Sequence, residues 1–173
     1  SAFIDKEFLQ NNGLDEKNIL SIFIPNSYNI YWNTSSEDFR DRMLAEYNKF
    51  WNKDRSKKAQ KLGLTKLEVI SLASIVQIES KRNDERPRVA GLYINRLKKN
   101  MRLQADPTVI YTIKEYYKNF DTIIRRVLYR DLELESEYNT YRVAGLPPGP
   151  ITMPDISAID AVLNYEKNNY LFM

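Results

Sequence analysis

The chain has 173 residues, 43% of them hydrophobic and 28% charged, which is enough apolar content for one globular domain and argues against global disorder. Its 26 basic and 23 acidic side chains leave a net charge of only +3, far from the footprint of a nucleic-acid binder. The absence of His and Cys excludes imidazole and thiolate catalysis, disulfides and the usual zinc ligands, so any chemistry rests most plainly on a carboxylate.

The first 34 residues are mixed. Phe8 and Leu9 close a short helix before Gly13, and residues 19–24 read as a buried strand stopped by Pro25-Asn26. Ser35 and Asp38 have capping-box spacing ahead of a helix over residues 36–51, whose Phe39, Met43, Tyr47, Phe50 and Trp51 form one apolar face. A charged stretch over residues 53–61 reads as a solvated helix or linker ending near Gly63.

Thr65 and Glu68 form a cleaner capping box, opening a helix over residues 66–80. Its middle, residues 69–78, is apolar on most sides, so this helix is expected to be buried between other elements. Asn83-Asp84 interrupts the chain. Pro87 then falls in the first turn of a helix reaching Lys99, with Val89, Leu92, Tyr93 and Leu97 inward. Asp106-Pro107 reads as another helix start, with Asp106 as N-cap and Pro107 at the first position, running to Tyr116 or Tyr117. Residues 125–128 and 133–135 are strand candidates. Residues 138–154 form a long loop stiffened by Gly145, Pro147, Pro148, Gly149, Pro150 and Pro154, of a kind more often functional than incidental. Residues 156–163 read as a last short helix and residues 170–173 as a strand cut short, as in a fragment of a longer protein. The expected fold is α+β: a single compact, helix-rich domain with a small β-sheet. No apolar run approaches the ~18–20 residues of a membrane span.

Glu79 ends the apolar helix, on one face with Leu72, Ile75 and Val76. Such company disfavours the anion, the helix C-terminus pushes the same way, and a raised pKa suits a general acid near neutral pH. The pattern alone nevertheless favours a plainer reading, a surface ion pair with Lys81, Arg82 or Arg86. Capping alone accounts for Asp106. Tyr138, Asn139, Thr140 and Tyr141 alternate aromatic and polar groups, suited to stacking on sugar faces and bonding hydroxyls, or equally to core packing and turn formation. Asn95 and Gln104 are uncharged amides, and such groups are mostly just exposed. Lys98, Lys99 and Arg102 read as a solvated face.

Several long blocks resemble the MltG (YceG-like) family of endolytic murein transglycosylases. They comprise residues 73–79 (ASIVQIE), 85–91 (ERPRVAG), 93–97 (YINRL), 101–111 (MRLQADPTVIY), 138–141 (YNTY) and 145–151 (GLPPGPI), followed by Pro154. Together they span residues 65–163, with looser similarity back to residues 23–25. The resemblance implies residues 63–173 as a YceG-like catalytic core truncated at its C-terminus, with residues 1–62 a lead-in of strand plus helix packed on it. It implies Glu79 as the catalytic acid. Many family members carry a second acid two positions earlier, where this chain has Gln77.

The activity so implied is endolytic cleavage of the MurNAc-GlcNAc β-1,4 bond of peptidoglycan glycan strands, leaving a 1,6-anhydroMurNAc end, with no cofactor and no metal. Asn95, Gln104, Asp106, Tyr138, Asn139, Thr140 and Tyr141 would line the substrate groove and the Pro-rich loop would shape its wall. Two alternatives stay open: a non-catalytic peptidoglycan-binding or scaffolding domain, and a muramidase-type hydrolase pairing Glu79 with Asp84 or Asp106. The family pattern also implies an N-terminal membrane anchor and a LysM-like portion in the full-length protein, further sequence beyond the final strand, and location on the outer (periplasmic) face of the cytoplasmic membrane. Peptidoglycan synthases are the implied partners.

Overall fold

The computed structural model describes residues 2–172 and is built from helices and loops. In chain order come α1 (Lys6–Asn11), α2 (Ser36–Phe50), α3 (Lys53–Leu62), α4 (Lys66–Glu79), α5 (Arg86–Lys98), α6 (Asp106–Tyr116) and α7 (Ile156–Leu163). Single 3-10 turns lie at Ala2–Ile4, Ile19–Ile22 and Tyr129–Glu133.

The small sheet expected from the sequence is absent: among the described residues there is no strand, and the fold is all-helical. Residues 19–24 bury their apolar side chains as a 3-10 turn and coil. The Asp15 carboxylate accepts from the backbone N–H groups of Lys17 and Asn18, which curls the chain before Ile19. A short apolar run does not by itself say whether it is strand or turn. Residues 125–128 are coil leading into the third 3-10 turn, which overlaps the 133–135 candidate, and residues 170–172 are bend and coil. Met173, the end of that last expected strand, lies outside the described residues. Among its described residues the lead-in therefore contains helices and two 3-10 turns, not a strand.

The helices follow their caps. Ser35 and Asn52 accept from the backbone N–H groups of Asp38 and Arg55 to start α2 and α3. In α4, Glu68 N–H donates to Thr65 Oγ1 and Thr65 N–H to a Glu68 carboxylate oxygen, closing the capping box. Among the described residues, no helix is long and apolar enough to cross a membrane.

The body is organised around α4, which packs on α3, α5, α6 and α7, with α5 also against α7. Val69, Leu72, Ala73, Ile75 and Val76 of α4 are fully buried, and so are the Ser71 and Ser74 side chains. Buried residues of the first 62 positions, among them Ile22, Met43 and Trp51, belong to the same continuous hydrophobic core.

The polar side chains of α4 recur every third residue and hold the Pro-rich loop. Ser71 Oγ donates to the Pro147 and Gly149 carbonyls, Ser74 Oγ accepts from Ile151 N–H, and the Gln77 amide spans Met153 O and Asp155 N–H. That loop passes the Lys17 carbonyl so closely at Gly149 that an added Cβ would lie 1.9 Å from it, so only glycine fits. The loop is thus held against α4 by its side chains.

Ser74→Ala removes the acceptor of a buried N–H without changing the apolar packing. We expect it to cost about 1–3 kcal/mol in urea denaturation, whereas Glu68→Gln, on the exposed cap, costs less.

Candidate active site

Glu79 is the last residue of α4. The chain turns extended at Ser80, whose N–H closes the helix on Val76 O. Residues 69–76 of the helix have no solvent face; its last turn emerges, Ile78 to solvent and Glu79 into a cleft of about 250 Å³. Tyr93 and Arg96, three residues apart on α5, form one wall with Leu92. Leu103 and Gln104 come from the segment that leads into α6, Asp106 is the first residue of that helix, and Tyr141 and Phe172 complete the lining.

The surface ion pair that the pattern favoured for Glu79 is not made. Arg86 is buried and donates to both Asp155 carboxylate oxygens at 3.0 Å and to Ser80 O at 3.2 Å; Arg82 pairs with Asp84 at 2.8 Å and Glu85 at 3.4 Å. Glu79 is open to the cleft, yet enough protein surrounds its carboxyl that desolvation raises the pKa above the ordinary glutamate value. The negative charge of Asp106 pushes the same way, and the Tyr93 hydroxyl, facing the carboxylate, partly opposes both. Tyr93 is itself pushed far up by burial and then by the Glu79 charge, so it stays a neutral hydroxyl.

Asp106 is not the N-cap. That position belongs to Ala105, which makes no side-chain cap bond, and Asp106 opens the helix with Pro107 behind it. The one-residue shift frees its carboxylate, which accepts from Tyr141 Oη at 2.7 Å. Burial first, and then this bond, push the Tyr141 hydroxyl up to about 12.

Gln104 also faces the cleft, with its backbone at φ 51°, a conformation that non-glycine residues seldom adopt. Its N–H donates to Thr140 O and its side-chain oxygen accepts from Arg96 at 3.2 Å, which hold it there.

The other expected binding residues are used inside the protein. Tyr138 is buried with its ring 4.6 Å from that of Tyr111. Asn139, fully buried, donates to Leu132 O and Leu134 O and accepts from Tyr141 N–H. Thr140 accepts from Ala105 N–H and shares a hydrogen bond with Thr108. Asn95 donates to Asn168 O and Tyr170 O, away from this cleft. Of the Tyr138–Tyr141 segment only Tyr141 reaches the cleft, positioned by the other three. The Pro-rich loop lines none of it.

Sequence reasoning did not single out Tyr93 or Arg96. Arg96 is buried, donating to the carbonyls of Leu171, Arg102 and Leu103. The available signal was their three-residue spacing on the inward face of α5.

A family model described as the YceG-like family matches residues 3–173. Similar proteins include an endolytic murein transglycosylase of Bacillus subtilis, 38% identical over 140 residues, and one of Streptococcus pneumoniae, 30% identical over 152. These matches cover 80% and 86% of this chain but 36% and 26% of the relatives, so the chain spans about a third or less of their length. The crystal structure of a yceG-like protein from Listeria monocytogenes superposes with a TM-score of 0.80 at 31% identity, over 99% of this chain and 59% of that one.

A carboxyl whose pKa is raised on folding stabilises the fold only while protonated, and that contribution is lost as pH rises through the folded-state value. Glu79→Gln is therefore expected to melt at a higher temperature than the parent at pH 7, the difference closing below about pH 4, where both states of the parent are protonated. A lower melting temperature at pH 7 would mean that the ionised carboxylate is stabilised instead.

Proposed function

The chain belongs to the YceG-like family, and from that premise we propose that it carries the acid/base of an endolytic lytic transglycosylase acting on peptidoglycan glycan strands. The observation that carries the reading is Glu79: a carboxylic acid with a raised pKa, free of ion pairs among the described residues, at the mouth of a cleft. The names of the Bacillus and Streptococcus relatives support the substrate class.

Protonated Glu79 donates its proton to the glycosidic oxygen between MurNAc and GlcNAc as the C1–O bond breaks through an oxocarbenium-like state. GlcNAc leaves with that proton on its 4-hydroxyl. The Glu79 carboxylate then takes the proton of the C6 hydroxyl of the same MurNAc, whose oxygen bonds to C1. A 1,6-anhydro end results, water is neither added nor lost, and the acid is regenerated. A raised pKa keeps enough of Glu79 protonated near neutral pH for the first step. Asp106, Gln104 and Tyr141 contact the sugars, and Asp106 sustains the pKa of Glu79 through its charge. In the cell, the full-length protein works on the outer face of the cytoplasmic membrane, held by an N-terminal anchor, beside peptidoglycan synthases.

One observation favours a second reading. Asp106 brings a second carboxylate to the same cleft, as a hydrolase of paired-carboxylate type requires. Asp84 has no such claim, since it is engaged by Arg82. The products separate the two chemistries. Digestion of un-crosslinked glycan strands, read by mass spectrometry, is expected to give anhydro ends with the parent chain. Glu79→Gln should lower the rate on the order of a hundred- to ten-thousand-fold. Reducing ends, heavier by one water, would overturn the transglycosylase reading in favour of hydrolysis.

A further inference from the structure

The Glu79 cleft does not end at Asp106 and Tyr141. The same two residues, joined by their 2.7 Å hydrogen bond, also line a second cleft of about 250 Å³. Its other wall is the segment entering the Tyr129–Glu133 turn, with Arg126, Leu128, Tyr129 and Leu132 on the lining. The two clefts therefore adjoin at the Asp106–Tyr141 pair.

The second cleft carries an exposed aromatic residue and an arginine on its lining. Tyr129 is 91% exposed, an aromatic face held out at the rim where it contributes nothing to the core. Leu128 is a second exposed apolar side chain beside it. Aromatic faces of this kind pack against the C–H faces of sugar rings while the hydroxyl end stays hydrated. Nearby arginines are occupied, Arg142 by Glu133 at 2.9 Å and Arg130 by Asp131 at 3.8 Å, but Arg126 makes no ion pair among the described residues. It offers a free cation to the carboxylates that stem peptides hang from a glycan strand.

We infer that this second cleft is a saccharide subsite, in which Tyr129 stacks on a sugar of the same glycan strand beyond the scissile bond and Arg126 meets its acidic substituents. The inference rests on the transglycosylase reading above. It makes the groove one that grips a strand along its length rather than at a single sugar.

The test is a binding titration on the Glu79→Gln chain, which needs no turnover, with a GlcNAc-MurNAc disaccharide and with long un-crosslinked strands carrying stem peptides. Long strands should bind more tightly than the disaccharide. Tyr129→Ala should weaken the long-strand affinity about tenfold and leave the disaccharide affinity unchanged, while Tyr129→Phe keeps most of it. Arg126→Gln should weaken long strands a fewfold and flatten the salt dependence of binding. Unchanged long-strand affinity in Tyr129→Ala would overturn the subsite, as would binding by the Glu79→Gln chain that ignores strand length. A Glu79→Gln chain that binds no glycan at all would overturn the transglycosylase reading beneath it as well.

Discussion

A helix with no solvent face for most of its length is the constraint on which the rest of this molecule depends. From Val69 to Val76 every residue of α4 is buried, and four other helices are needed to cover it. Covering a helix on all sides leaves its own polar side chains needing partners inside the protein. Ser71, Ser74 and Gln77 find them in the backbone of the Pro-rich loop, so the loop is fixed by the helix it covers. At the end of α4 the covering opens, and the first side chain to face a cleft is a carboxylic acid.

The neighbours of Glu79 are arranged so that its charge is neither neutralised nor fully hydrated. Two of the cations nearby in sequence are diverted: buried Arg86 ties the start of α5 to the N-cap of α7 through Asp155, and Arg82 turns to Asp84 and Glu85. Burial raises the Asp155 carboxyl, but hydrogen bonds from Ser157, Ala158 N–H and Arg86 outweigh it and hold the group below the usual carboxylate range. Two carboxylates, one at the end of α4 and one at the N-cap of α7, are thus driven in opposite directions. Asp155 is an ionised structural anchor, and Glu79 is an acid that keeps its proton to higher pH. Such divergence is consistent with the acid role proposed for Glu79.

The helices were legible because their ends are chemically marked. Thr65 with Glu68, Ser35 with Asp38, and Pro87 in a first turn each describe a local event that the structure contains. The sheet was misread because residues 19–24 carry apolar side chains that serve a buried turn as well as a strand, and no local signal reports whether a partner strand exists. Site residues divided on a similar line. Asn95, Asn139 and Thr140 have the polarity of ligands, but backbone carbonyls and N–H groups elsewhere in the chain claim that polarity first. Asp106 went the other way, because a helix start displaced by one residue turned an expected cap into a carboxylate that faces Glu79's cleft and accepts from Tyr141. Tyr93 and Arg96 were hidden in plain helical periodicity, since a wall of a cleft and a wall of a core have the same spacing.

The most direct measurement is a titration of the Glu79 side-chain carboxyl by carbon-13 NMR, on the folded parent chain and on Asp106→Asn. The arrangement at the end of α4 predicts a midpoint above the ordinary glutamate value, moving down when the Asp106 charge is removed. A midpoint at or below that of a free glutamate, or one indifferent to Asp106→Asn, would contradict it and leave Glu79 as an ordinary solvated carboxylate.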